Sequence, residues 1–301
     1  MLFSLHTIKF YVTLLFELIA FPILYTKNFI LNKLSSKIYK RHNKLRQTIQ
    51  SPTILVNIHE WGGYPLKRKK SVSSIPQFEC GLQYQLQRFN YAKKRLPLLI
   101  NVTISDIEKC SDIDYIKKNT DNIDSVDNKG MDFSGYSSFY EKIKDKENAY
   151  VILSNTSVNA IQEDFLDSHI QYMEDHPEVG MLGVSYCTKI IQTFVRNNFT
   201  PHLQSFYILT TIDVLREVVK LNGEFPGIGI NHKLLLIRNG EIKLSTLVLK
   251  LNYNLAVVQE NGKVYQFGRN TFFDNSFNAW KLHFGDVRVI SKKPNRINPI
   301  V

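Results

Sequence analysis

The chain has 301 residues, 44% hydrophobic and 12% aromatic, enough apolar side chain for one large folded body or two small ones. Its three cysteines, Cys80, Cys110 and Cys187, are odd in number and form no CxxC pair, which argues against a disulfide framework or a cysteine metal site and for a reducing compartment. The net charge of +11 is concentrated: residues 26–70 hold eleven Lys/Arg against the single acid Glu60 and residues 71–301 sum to +1, so the body lacks the basic surface of a nucleic-acid binder.

Residues 8–25 are mostly apolar, and the character continues through Phe29, Ile30 and Leu31. They have no basic leader and no small-residue cleavage site, which disfavours a secretory signal. The length suits a membrane-spanning helix, with Lys9, Glu17 and Pro22 as blemishes. On a helical wheel His6, Lys9, Thr13 and Glu17 share one narrow stripe, which suits a helix lying in an interface or packed on the body. The basic run from Lys27 to Arg46 then lies where anionic headgroups would attract it. Residues 1–50 are read as a membrane-associating helical segment, spanning or lying flat, and 51–301 as the folded domain.

The β-branched run 53–59 predicts a first strand. It ends in His59, Glu60, Trp61, Gly62, Gly63 and Tyr64, a glycine turn with aromatic edges that looks like a ligand loop. The basic run 67–70 fits either a solvated loop or a phosphate-attracting edge. The pattern then predicts helix 78–96, strand 97–104, helix 112–119 and strand 122–126. An amphipathic helix carrying Phe133, Tyr136, Phe139 and Ile143 follows, then strand 149–153. Next come helix 163–176, strands 179–186 and 202–210, helix 212–221 and a glycine-rich loop 222–230. A segment 232–238, a turn at Asn239-Gly240 and an apolar helix after Glu241 complete the series. This alternation predicts an α/β fold with a mostly parallel sheet and helices on both faces.

In an open α/β sheet, ligands lie beyond the carboxyl ends of the strands. That singles out Asn155, Thr156 and Ser157, where strand 149–153 stops in small polar residues. The loop holding Asn128, Gly130 and Asp132 is a second candidate, with a carboxylate set between Gly130 and Gly135. Walker A, GxGxxG, GxSxG and HExxH motifs are all absent, and the eight histidines show no metal spacing. This disfavours a P-loop NTPase, a Rossmann dehydrogenase, an α/β-hydrolase and a zinc hydrolase.

Several stretches, taken in order, resemble the rhamnan synthesis protein F family of bacterial glycosyltransferases over about residues 53–301. They are Asn128-Lys129-Gly130-Met131-Asp132-Phe133-Ser134-Gly135-Tyr136, Leu153-Ser154-Asn155-Thr156-Ser157, Gln204-Ser205-Phe206-Tyr207 and Asn239-Gly240-Glu241-Ile242-Lys243-Leu244-Ser245. Asn275-Ser276, Trp280-Lys281-Leu282 and Asn298-Pro299 are similar to the family's closing pattern. The resemblance implies a GT-A-like domain at the cytoplasmic face of the inner membrane. It would move a sugar from a nucleotide-sugar donor to a lipid-linked or polysaccharide acceptor, in O-antigen, capsule or rhamnan synthesis. Donor contacts would come from His59, Trp61, Asn128, Gly130, Asp132, Asn155, Thr156 and Ser157.

GT-A enzymes generally hold Mg2+ or Mn2+ with an acidic pair. Here Thr156 stands at the middle position and cannot chelate as a carboxylate does, leaving Asp132 as the candidate metal ligand. Basic groups and hydroxyls replacing the metal, or an inactive homologue serving as a scaffold, are the alternatives. An inverting transfer needs a carboxylate to deprotonate the acceptor hydroxyl. Glu241 is the candidate base; it fits equally a first-turn glutamate that stabilises a helix N-terminus. His232 and His283 are read as structural.

Overall fold

The computed structural model describes residues 5–38, 43–49, 51–72, 75–187, 202–267 and 295–301. An eight-stranded sheet forms the centre, in the order β12-β11-β7-β10-β6-β1-β4-β5. In chain order these strands are β1 (Thr53–Trp61), β4 (Leu98–Ser105), β5 (Asn122–Val126), β6 (Ala149–Asn155), β7 (Val179–Gly183), β10 (Tyr207–Thr211), β11 (Asn254–Val258) and β12 (Val264–Phe267). β1 runs parallel to β4 and β6, β4 to β5, and β7 to β11. β10 is antiparallel to β6 and β7, and β12 to β11. Two short hairpins lie outside the sheet, β2 (Arg68–Val72) with β3 (Ile75–Cys80) and β8 (Tyr186–Cys187) with β9 (His202–Leu203).

Helices cover both faces. α2 (Leu82–Lys93), α3 (Ile113–Asn119) and α5 (Leu166–Asp175) pack on one through Leu86, Phe89, Ile116 and Met173. α4 (Asp132–Ile143), α6 (Ile212–Asn222) and α7 (233–250) pack on the other through Phe133, Tyr136, Leu215 and Leu247. The fold is therefore mixed α/β with a mostly parallel sheet, as the alternation predicts. β1 and β6 are buried almost throughout because each lies between two strands and under helices on both sides.

Four differences from the sequence pattern have physical causes. Residues 78–80 belong to β3, where Phe78 and Cys80 are buried and Gln77 and Glu79 exposed. That is a two-residue period, and α2 begins only after Gly81 (φ 133). The predicted strand 202–210 is broken at 204–206, which form a turn. Asn239-Gly240 makes no turn: it lies in a π-helical stretch, Ile237–Ile242, inside a continuous α7. A Cβ on Gly240 would come within 2.8 Å of the Phe133 ring, so tertiary packing, not turn propensity, decides this segment. β11 and β12, absent from the sequence reading, extend the sheet past β7.

α1 (Leu5–Ile38) packs on α7 near its start. Phe10 is buried against the His232 ring (centroids 5.0 Å), and His6 Nδ1 lies 2.6 Å from Asn231 Oδ1. Elsewhere α1 exposes Leu15, Phe16, Leu18, Ile19 and Ile23. Among the described residues no helix is long and apolar enough to cross a membrane. The basic run also divides. Lys44 pairs with Glu217 at 2.6 Å, and Arg46, buried, donates to the carbonyls of Val179, Met173 and His176. Lys44 and Arg46 are thus engaged with the folded body.

Candidate functional site

β1, β4 and β6 are parallel neighbours, so their carboxyl ends, at Trp61, Ser105 and Asn155, form one edge. Gly62 turns the chain there, its N–H donating to Ser105 O at 2.7 Å. A Cβ on Gly62 would sit 2.3 Å from Asp106 O, so only glycine fits this approach. Trp61 donates from Nε1 to Asp106 Oδ2 (2.8 Å) and meets Tyr64 edge-on at 4.8 Å. Gly130 (φ 127) and Met131 (φ 49) swing the backbone into α4, whose first residue is Asp132.

Asp132 Oδ2 accepts from Asn155 Nδ2 at 2.6 Å. Asn155 Oδ1 accepts from Ser157 N at 2.9 Å, and its carbonyl accepts from Gln85 Nε2 at 3.1 Å. The amide is thus oriented on both sides, and it fixes the carboxylate at the strand end. Thr156 is buried beside it. Its Oγ1 accepts from Arg68 Nη2 at 2.6 Å, and its hydroxyl is also bonded to Glu60. Arg68 Nη1 donates to Glu60 Oε2 at 2.9 Å, and the guanidinium lies 4.1 Å from the Tyr64 ring centre. The β2–β3 hairpin therefore inserts a cation at the strand-end threonine.

Burial pushes the Glu60 carboxyl up to about 7, outweighing the attraction of Arg68 and the bonds from Thr156, Arg68 and the Trp61 amide. A carboxyl raised in the folded state favours folding most below its unfolded value of 4.5, and that contribution is lost as pH rises through 7. Stability from this group should fall by about 3 kcal/mol across that window. Urea unfolding at pH 5 and pH 8 should show a smaller difference in Glu60→Gln than in the wild type. Equal differences would mean that Glu60 is ionised like an ordinary glutamate.

The other sequence candidates divide. His59 does not face a ligand: it is buried beneath α4, its Nδ1 3.2 Å from Thr103 Oγ1. Burial lowers its pKa while Asp132 raises it. It can act on the site only through its neighbours. Asn128 is exposed in the loop before α4, and its carbonyl accepts from Gly130 N at 3.1 Å. Ser157 is half-buried, and its carbonyl accepts from Asn295 Nδ2 at 2.8 Å, which ties the C-terminal segment to this edge. Asn298 is held by α5, its carbonyl meeting His169 Nε2 at 2.8 Å.

Glu241 lies in the π-helical stretch, within α7, so it is not a first-turn glutamate. Its Oε1 accepts from Ser205 N (3.0 Å) and Ser205 Oγ (2.7 Å), and Ser205 O accepts from the Tyr136 hydroxyl at 2.6 Å. Burial, then Asp132 and Glu241, push the Tyr136 hydroxyl well up, so both carboxylates flank one buried phenol. His232 caps α7 by accepting from Leu235 N, a structural role. His283 and the stretch 275–282 lie outside the described residues.

Glu60 and Tyr64 lie in the loop that the sequence marks as a ligand loop, whereas Arg68, Ser205 and Tyr136 were not singled out as site residues; the basic run 67–70 was the available signal for Arg68. Among the described residues no three His, Cys, Asp or Glu side chains are grouped to hold a metal. The local donors do not fit a divalent ion either. Thr156 Oγ1 is bonded to a guanidinium, and one Asp132 oxygen is bonded to the Asn155 amide.

No family model matches the chain, and no curated protein matches it. Among solved structures, the bifunctional IspDF from Campylobacter jejuni aligns at 14% identity and a TM-score of 0.37, over 70% of this chain and 50% of that one. A variant of UDP-glucose pyrophosphorylase from Leishmania major aligns at 10% identity and a TM-score of 0.35, over 64% and 60%. The chain thus spans about half of the first protein and three-fifths of the second.

Proposed function

We propose that this chain is a GT-A-like glycosyltransferase, kin to the rhamnan synthesis protein F family. It takes a nucleotide-sugar donor at the β1/β6 edge and passes the sugar to a lipid-linked or polysaccharide acceptor in bacterial cell-surface polysaccharide synthesis. One observation carries the reading: a carboxylate (Asp132), a guanidinium (Arg68) and a hydroxyl (Thr156) converge where β6 ends. Breaking the sugar–diphosphate bond leaves negative charge on the diphosphate, and fixed donors stabilise it. Removing the acceptor proton needs a carboxylate with a lone pair to spare. Asp132 Oδ1 has no hydrogen bond among the described residues, and the side chain is partly exposed. Glu241 spends Oε1 on two bonds from Ser205. Glu241 accepts two bonds from Ser205 and Asp132 one from Asn155, so the proposal gives the base role to Asp132 and to Glu241 the positioning of the 204–206 turn. An inactive scaffold is the second reading, and its ground is Thr156. The Arg68 contact weakens that ground by supplying positive charge at the same position.

Thermal unfolding of the full chain with UDP-, dTDP- and GDP-sugars tests the reading. One donor should stabilise the fold, by about 2.7 kcal/mol at a hundredfold excess over Kd, because only a ligand of the folded state does so. If no nucleotide sugar shifts Tm, the donor-site reading falls.

The same proposal seats the chain on an anionic lipid surface through α1. Its exposed Leu15, Phe16, Leu18, Ile19 and Ile23 make an apolar band, and Lys27, Lys33, Lys37, Lys40 and Arg41 follow in sequence. Leu15→Glu, Ile19→Glu and Ile23→Glu together should abolish co-sedimentation with phosphatidylglycerol vesicles. The buried Phe10 contact is left intact by these changes. Unchanged sedimentation would refute the α1 seat.

A further inference from the structure

We infer that Arg68 is the resident cation of the donor site, carrying the diphosphate charge where a GT-A fold holds a divalent ion. The inference rests on the donor-site reading above and deepens it. Three observations support it. First, the position is right: Arg68 Nη2 bonds Thr156, the residue standing where the acidic pair of such enzymes would lie. Second, the guanidinium is preorganised. Glu60 Oε2 takes Nη1, Thr156 takes Nη2 and the Tyr64 ring covers one face at 4.1 Å. Among the described residues these are the partners of its side chain, which leaves further N–H groups for a phosphate oxygen, and the side chain keeps 15% of its exposure. Guanidinium forks match phosphate oxygens in pairs.

Third, the pairing makes sense of Thr156. An aspartate there would form a salt bridge with Arg68 and cancel the charge the diphosphate needs. Threonine bonds the guanidinium and leaves its charge. Glu60 opposes this less than an ordinary glutamate would, because burial holds its carboxyl partly protonated near neutral pH. The hairpin that carries Arg68 is also fixed. Arg68 pairs in register with Cys80, and a Cβ on Gly81 would lie 2.2 Å from Leu66 O, so the base of the hairpin closes tightly on glycine. Lys69 and Lys70, on the same strand, add to the local positive field.

Calorimetric titration of the full chain with UDP, dTDP and GDP, in EDTA and then with Mn2+, tests this directly. One nucleoside diphosphate should bind in EDTA, and Mn2+ should change its affinity less than twofold. Arg68→Ala should weaken it roughly 10- to 100-fold. Because that variant leaves Glu60 buried without its partner, Thr156→Asp serves as the second variant: it keeps both Glu60 and Arg68. It should weaken binding in EDTA about tenfold by pairing with Arg68. Binding by the wild type only with Mn2+ would overturn the inference and leave the donor site standing. So would unchanged affinity in both variants. No binding of any of the three under either condition would overturn the donor site itself.

Discussion

Gly135→Ala should cost the fold about 3 kcal/mol and remove donor binding in the same step. α4 crosses β1 and β4 at this glycine. A Cβ there would lie 2.3 Å from Thr103 Oγ1 and 2.4 Å from His59 Nδ1. Neither neighbour can yield, because both are buried members of a polar ladder. His59 meets Thr103 at 3.2 Å, Asn57 Nδ2 donates to Thr103 Oγ1 at 3.2 Å, and Asn101 Nδ2 donates to Asn57 Oδ1 at 2.9 Å. Either α4 lifts or the ladder breaks, and a lifted α4 carries Asp132 away from Asn155. Urea unfolding and nucleotide titration read the two effects together. Gly223→Ala is the control. It also replaces a glycine, at φ 88, but a Cβ there meets nothing within 4 Å, so its cost is the backbone alone, about 1 kcal/mol. If Gly135→Ala is no worse than this control, the packing of α4 over His59 is wrong.

Asp132→Asn should lower turnover about 100-fold or more while Tm moves little. Asparagine keeps an oxygen for the Asn155 amide, so the 2.6 Å contact survives in outline. It loses the ability to take a proton from an acceptor hydroxyl. Glu241→Gln is the informative partner. Its carbonyl oxygen still accepts from Ser205 N and Oγ, so most activity should remain if Glu241 positions the turn. Initial rates with saturating donor separate the two cases. A Glu241→Gln variant as inactive as Asp132→Asn would return the base role to Glu241.

How much of this was readable beforehand follows from the range of the interactions. Strands 53–59 and 149–153 and the helix around Phe139 were legible because burial on both faces, or on one stripe, is written in local periodicity. So was the value of the β6 terminus, since strand order in a parallel sheet puts its carboxyl ends together. Helix 78–96 misled because the β3 alternation covers only a few residues before α2 takes over. Asn239-Gly240 reads as a turn in isolation, and Phe133 from α4 keeps it helical.

The sequence by itself determined an α/β body, a polar strand end at Asn155 to Ser157 and the absence of a carboxylate at Thr156. Tertiary structure alone decided what stands in that carboxylate's place. Arg68 and Thr156 are 88 residues apart, and nothing local in a basic run on a hairpin tells which cation turns inward. It also decided that Glu241 would meet Ser205, 36 residues earlier, and that Asn295 would close on Ser157 across 138 residues. Hydrophobic periodicity is a short-range signal, whereas a polar contact of this span exists only once the sheet has set both partners at one edge.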